Sequence, residues 1–138
     1  MSWLTAALLS AFFAGLTAIL AKIGVAGVNS NLATAIRTVF ILALAWAVVL
    51  WQGQARDLMS ISHKTWLFLF LSAVATALSW LFYFYALKMG AAAKVGPIDK
   101  LSLVFTVVLA ALILGESLTF KVIAGTILMA LGAVLIAL

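Results

Sequence analysis

Five hydrophobic segments, each long enough to cross a lipid bilayer as a helix, make up most of this chain. A membrane-spanning helix needs about 20 apolar residues, and in lipid its backbone polar groups must be bonded internally. Barrel strands would be shorter and alternate in polarity, and no part of the sequence does so over that range. The predicted spans are Trp3–Gly24, Leu32–Trp51, Thr65–Lys88, Val95–Leu114 and Thr119–Leu138.

Composition supports the same class of protein. Of the 138 residues, 68% are hydrophobic and 8% are charged, whereas soluble domains carry about 25% charged residues. We therefore predict an all-α integral membrane protein with one transmembrane domain, residues 1–138, in the inner or plasma membrane and in contact with its lipid. The first segment is too long for a signal-peptide core and lacks a basic flank, so we expect it to be retained.

Several function classes are disfavoured by the residues present. The eight Lys and Arg residues, which give a net charge of +5, are scattered at segment ends, so we expect no nucleic-acid partner. The absence of Cys excludes disulfides and thiol chemistry. With no phosphate-binding loop, metal-ligand cluster or nucleophile–base pair, we predict neither an enzyme nor a cofactor or metal. Because the connecting loops are short, any site must lie between helices.

Membrane orientation is weakly determined by charge. An odd number of spans places the two termini on opposite sides of the membrane, and basic residues favour the cytoplasmic side. The loop residues divide three against three, with Arg56, Lys64 and Lys121 on one side and Lys22, Lys88 and Lys94 on the other. Assigning Arg37 and Lys100 to their nearer ends gives three against five, which weakly favours an outside N-terminus. Such balance is compatible with dual topology.

Small and polar residues recur at helical spacing in the first four segments. The fifth segment has no such stripe and carries only Gly125 and Gly132 on one face. The pattern predicts four cavity-facing helices and one packing helix, although small and hydroxylated stripes also join helices in lipid. The four stripes are Ala11, Gly15, Ala18 and Lys22; Thr34, Arg37 and Thr38; Ser72, Thr76, Ser79 and Tyr83; and Asp99, Ser102 and Thr106.

Ionisable residues within the spans are the main candidates for function, because they are costly in lipid. Asp99 can be tolerated as an ion pair with Lys22, Lys100 or Arg37, or by reversible protonation, which would make it a coupling site. Lys22 is near a segment end and could reach the headgroups. Arg37 lies about 9 Å inside its segment, which favours a cavity-facing or paired role.

Other residues have a structural and a functional interpretation. Pro97 fits the first turn of the fourth helix, or an unwound helix start that lines a site. The aromatic run Trp80 and Phe82–Tyr85 is typical of an interfacial belt, yet Tyr83, with Ser79, could line a substrate path. Gly115 suits a helix C-cap, and the charge of Glu116 is favourable near the N-terminus of the fifth helix.

Together these features resemble the EamA family of the drug/metabolite transporter superfamily. The resemblance is clearest in two runs and in the helix that carries Gly125 and Gly132. Gly15, Lys22 and Arg37 extend it to the first half of the chain. The two runs are Ala86–Ile98 (ALKMGAAAKVGPI) and Leu112–Thr119 (LILGESLT).

The resemblance implies an architecture built from inverted repeats. Most family members are similar to two five-helix units in tandem, and because five is odd the two units run antiparallel. This chain is one such unit, so the family implies an antiparallel homodimer or a pairing with a homologous sister half. It also implies that the first four helices line a central cavity. One departure is that Asp99–Leu103 lacks the second proline of many relatives, so Asp99-Lys100 looks like a feature of a single-unit branch.

The sequence therefore predicts a small secondary carrier or exporter of metabolites that works by alternating access as an antiparallel dimer. One acid and three bases within the spans favour anionic or zwitterionic substrates over cations. Two alternatives remain open at this point: a subunit of a lipid-linked-sugar flippase, and a structural or regulatory membrane subunit that transports nothing alone.

Overall fold

The computed structural model describes all residues from Met1 to Leu138 and is helical, with no β-strand. Five helical stretches are long and apolar enough to cross a membrane, which confirms the five predicted spans. The fourth, Ala92–Leu114, is divided into two helices. The helices are α1 (Trp3–Gly24), α2 (Ser30–Trp51), a 3-10 helix (Gln54–Ser60), α3 (His63–Met89), α4 (Ala92–Asp99), α5 (Ser102–Leu114) and α6 (Phe120–Ala137).

The connection between α5 and α6 is a capped turn, as its glycine predicts. Gly115 has a φ of 69°, a conformation that side chains with a Cβ rarely adopt. The N–H of Glu116 donates to the carbonyl oxygen of Ala110 at 3.2 Å, which closes the end of α5. The Thr119 hydroxyl then accepts from the N–H of Val122 and caps α6.

The start of the fourth span differs from the prediction for Pro97. The helix begins at Ala92, so Pro97 is its sixth residue and lies beyond the first turn. Ala92 and Ala93 are the strongest helix formers, and the N–H groups of Lys94 and Val95 both donate to the Ala91 carbonyl, which extends the helix upstream. The predicted alternative of an unwound helix start is likewise not observed.

The interruption of this span lies after Pro97. Between α4 and α5 the backbone tightens to bonds three residues apart, with Leu101 N–H donating to the Ile98 carbonyl and Val104 N–H to the Leu101 carbonyl, both at 3.0 Å. Gly, Pro, Asp and Ser, which disfavour a regular α-helix, are concentrated in residues 96–102. The local composition therefore accounts for a 3-10-like joint within the membrane segment.

The helices form two clusters, which we describe separately. The split cluster contains Met1–Leu20 and Met89–Leu138, and the continuous cluster contains Ala21–Lys88. In the split cluster α6 packs against α4 and α5, with Ala133 buried. An added Cβ at Gly125 or Gly132 would meet nothing within 4 Å. Packing of α6 is thus present as predicted, but these two glycines do not form a close helix contact within the chain.

The continuous cluster is tightly packed at one end only. Its buried residues are all at the end where the α1–α2 connection meets the last turns of α3; we call this region the packed end. Leu87 and Val25 are 0% and 1% exposed there. The buried set consists of Ala21, Val25, Ser30, Thr34, Phe84 and Leu87. Beyond the packed end, large apolar side chains along the helices are exposed, as expected for surfaces that face lipid.

Candidate functional site

A groove with a volume of about 530 Å³ lies between α2 and α3; we call it the α2–α3 groove. Its size is within the range of about 300–1,000 Å³ typical of small-molecule sites. Four alanines, whose side chains end at Cβ, leave this space between the helices. These are Ala35 and Ala45 on α2 and Ala73 and Ala77 on α3. The polar lining residues are Asn31, Thr34, Thr38, Ser72 and Thr76.

The threonine hydroxyls of the groove donate to their own helices. Thr34 Oγ1 donates to the carbonyl oxygen of Ser30 at 2.9 Å, Thr38 Oγ1 to that of Thr34 at 2.8 Å, and Thr76 Oγ1 to that of Ser72 at 2.9 Å. A hydroxyl has one hydrogen, so each of these oxygens has only lone pairs left for a ligand. The threonines can accept hydrogen bonds from a ligand in the groove.

Arg37 lies beside the groove and contacts aromatic rings. Its Cζ atom is 4.5 Å from the ring centroid of Trp80 and 5.5 Å from that of Phe84. The ion pair that the structure shows joins Asp99 to Lys100, and Arg37 has no carboxylate partner. Cation–π contacts of this kind contribute about 0.5–2 kcal/mol. Arg37 thus contacts aromatic rings, and its cavity-facing or paired role stays a prediction.

Trp80 joins Arg37 to the groove. It contacts the guanidinium and is also one of the groove-lining residues. The aromatic run predicts an interfacial belt for Trp80 and Phe84, not a contact with Arg37. Their four-residue spacing, which puts both rings on one face of α3, is the signal that could have revealed a two-ring contact.

Lys22 and Lys88 bind backbone carbonyls at the packed end. Lys22 Nζ donates to the carbonyl oxygen of Leu87 at 2.5 Å, and Lys88 Nζ donates to that of Val28 at 2.9 Å. Leu87 is in the last turn of α3, where carbonyls have no partner within the helix and a cation is favourable. The structure thus places Lys22 in a helix-capping contact rather than in the lining of the groove.

Asp99 and Lys100, in the split cluster, form an ion pair with each other. Their side-chain atoms are 3.3 Å apart, and the side chains are 33% and 54% exposed, respectively. The partners predicted for Asp99 are Lys22, Lys100 and Arg37, and the structure shows the pair with Lys100. The pair lies directly at the joint between α4 and α5. Whether Asp99 also takes up a proton remains a prediction.

The two remaining lining candidates lie outside the groove lining. Ser79 is exposed on α3 and is not one of the groove residues. Tyr83 is half-buried, with its ring edge-on to that of Phe84 at a centroid distance of 6.4 Å, and it interacts electrostatically with Arg37. The structure therefore groups Tyr83 with the Arg37 cluster and leaves Ser79 apart.

Comparison with known proteins identifies the family. The model of the EamA-like transporter family matches residues 1–138, the whole chain. The chain belongs to the EamA-like transporter family. This EamA-like protein is 52% identical over 136 residues to a Sinorhizobium sp. protein described as an uncharacterized transporter in the cobO 3' region. The match covers 99% of this chain and 96% of that protein. No solved structure matches the chain.

Proposed function

We propose that this EamA-like protein is a secondary carrier of small metabolites that works as an antiparallel dimer. The observation that carries the proposal is the α2–α3 groove, a site-sized space with polar atoms inside a chain otherwise built to face lipid. Family membership, together with a relative described as a transporter, supports transport as the activity. In the proposed dimer the groove of each copy faces the other copy and the substrate between them.

The antiparallel arrangement is supported by the number of spans. Five spans put the two ends of the chain on opposite sides of the membrane. Two oppositely inserted copies then form an inverted repeat, the architecture in which alternating access occurs by rocking of one half against the other. The balanced basic residues of the loops supply no strong barrier to insertion in both orientations. A homologous sister half could take the place of the second copy.

The joint between α4 and α5 is the proposed coupling element. Protonation of Asp99 would remove its charge and release Lys100, since their contact is an ion pair. The backbone at this joint already departs from regular α-helical bonding, so it can change shape at low cost. In this mechanism proton uptake at Asp99 accompanies the change between the two access states.

Topology labelling tests the dimer. Because the chain has no cysteine, single reporters Ser2→Cys and Leu138→Cys can be treated with a membrane-impermeant maleimide in intact cells, with permeabilised cells as the control for full labelling. We expect each reporter to label in only a fraction of the molecules. Full labelling of one end and none of the other would contradict the homodimer and direct the search to an oppositely oriented sister protein.

A further inference from the structure

The α2–α3 groove and Arg37 together indicate which chemical group the site recognises. Thr34, Thr38 and Thr76 have used their hydroxyl hydrogens within their own helices. Asn31 and Ser72 have donor groups, but neither carries charge. Arg37 does not line the groove itself, but its guanidinium contacts the lining residue Trp80, and this places a cationic donor beside the groove.

The guanidinium of Arg37 has hydrogen-bonding capacity that the chain does not use. It has five N–H donors, and no carboxylate pairs with it. Trp80 and Phe84 offer ring faces, and Tyr83, the neighbour that does carry an oxygen, is an uncharged phenol that cannot neutralise a guanidinium. Aromatic contact leaves the planar N–H fork free for two parallel hydrogen bonds to a carboxylate. Inside a membrane segment, a cation without an anionic partner is costly, so an anionic ligand would stabilise it.

The lining of the groove restricts the rest of the ligand. Most of it consists of aliphatic side chains, alanines and the Trp80 ring. A surface of this kind binds a flat or apolar body, and it penalises extra charges that it cannot pair. A singly charged carboxylate therefore fits better than a doubly charged phosphate. The threonine oxygens can accept hydrogen bonds from N–H or O–H groups on such a body.

We propose that the Arg37–Trp80 pair is the recognition point for a small organic carboxylate, whose apolar or aromatic body lies in the α2–α3 groove. The proposal rests on the proposed function in one respect: the groove must be reachable from water. The proposal extends that function by naming the substrate class, a small organic carboxylate, and the residue that binds its charged group, Arg37.

Arginine-specific labelling tests the proposal directly. Arg37 and Arg56 are the only arginines in the chain, and Arg56 lies in the 3-10 helix outside the spans, so an Arg56→Lys protein has Arg37 as its single target for phenylglyoxal. Three probes with the same body differ only in charge: 3-phenylpropanoate, 3-phenylpropanamide and 3-phenylpropylamine. Modification of the purified, delipidated protein is followed by mass spectrometry.

We expect only the carboxylate to protect Arg37. With 3-phenylpropanoate at about ten times its dissociation constant, labelling should slow by about tenfold, while the amide and the amine leave the rate unchanged. Trp80→Leu in the same background should abolish this protection, and Trp66→Leu, on the same helix but outside the groove, should not. If Trp80→Leu does not fold, the comparison of the three probes in the Arg56→Lys protein still shows whether Arg37 binds a carboxylate.

Three results would overturn the proposal. Protection by the amine, or equal effects of all three probes, would show that Arg37 does not select for a negative charge. Protection by added phosphatidylglycerol but not by 3-phenylpropanoate would identify the anion as a lipid headgroup. No protection by any probe would show that Arg37 does not form a carboxylate-binding site. Topology labelling is independent of these outcomes, so the carboxylate site and the antiparallel dimer can fail separately.

Discussion

The packed end and the α2–α3 groove share the helices α2 and α3, yet they differ in packing and in the contacts of their polar groups. At the packed end Leu87 is fully buried, and two lysines donate to backbone carbonyls. In the groove Leu69 is 55% exposed, and alanines and threonines leave an open space. Threonine occurs in both regions: Thr34, where the groove meets the packed end, is buried, whereas Thr76 farther along the groove is exposed. A hydroxylated stripe on a membrane helix therefore does not by itself distinguish packing from a cavity; the large residues and cations around it do.

Truncation at the packed end should have the largest effect on stability. We expect Leu87→Ala to lower the free energy of unfolding by about 2–5 kcal/mol, because it leaves a cavity where the side chain is fully buried. SDS-induced unfolding of the purified protein in mixed micelles measures this. Leu71→Ala, at a half-exposed position on the same helix, is the matched control and should change stability little. Equal losses for the two variants would mean that the packed end is not the stable core.

Removal of the contact between Lys22 and the Leu87 carbonyl should have the second-largest effect on stability. Lys22→Met leaves the Leu87 carbonyl without its charged donor, and we expect a loss of about 1.5–3 kcal/mol. Lys64→Met, at an exposed position at the start of α3, serves as the control in the same unfolding assay. If both variants lose the same stability, the lysine–carbonyl bond contributes nothing specific to the packed end.

The contact between Arg37 and Trp80 should give a smaller but measurable coupling. A double-mutant cycle with Arg37→Gln and Trp80→Leu isolates the pair, and we expect a coupling free energy of about 0.5–2 kcal/mol. Pairing Arg37→Gln with Trp66→Leu should give additive effects. Additivity in the Trp80 cycle would show that the ring does not hold the guanidinium beside the groove.

Two isosteric threonine substitutions should give the smallest effects and compare a buried hydroxyl with an exposed one. Thr34 and Thr76 donate the same type of hydrogen bond, each to the carbonyl four residues earlier. Thr34→Val at the packed end should cost about 0.5–1.5 kcal/mol, because it removes a buried hydrogen bond. Thr76→Val should stay within about 0.5 kcal/mol of the parent. A larger loss at Thr76 would indicate that the groove side of α3 is packed rather than open.

Much of the fold follows from local sequence properties. Hydropathy and length define five spans, and Gly115 marks the end of α5 because its conformation requires glycine. A helix that begins at Val95, as the hydropathy predicts, would have Pro97 in its first turn, whereas the alanines before Val95 extend the helix. Helix starts depend on small differences in propensity and are hard to fix from one sequence.

The candidate site was only partly predictable, since a sequence shows the face of each helix but not which faces meet. Arg37 was identified from its depth in a span, and Thr34, Thr38, Ser72 and Thr76 from their spacing. The contact of Arg37 with Trp80 and Phe84 depends on how α2 and α3 are rotated against each other. The spacing groups Lys22 with the cavity-facing residues, because its acceptor, a backbone carbonyl on α3, leaves no signal in the sequence.

Water access to the groove tests the central claim most directly. Thr76→Cys in the groove and Leu128→Cys, an exposed residue of α6, place single thiols near the middle of their helices. Both variants, reconstituted in lipid vesicles, are treated with a charged, water-soluble methanethiosulfonate reagent. The account predicts that Thr76→Cys reacts and is protected by 3-phenylpropanoate, while Leu128→Cys stays unmodified in the bilayer. Equal resistance of the two thiols would mean that the α2–α3 groove is filled by lipid or protein, and it would contradict a transport path at this site.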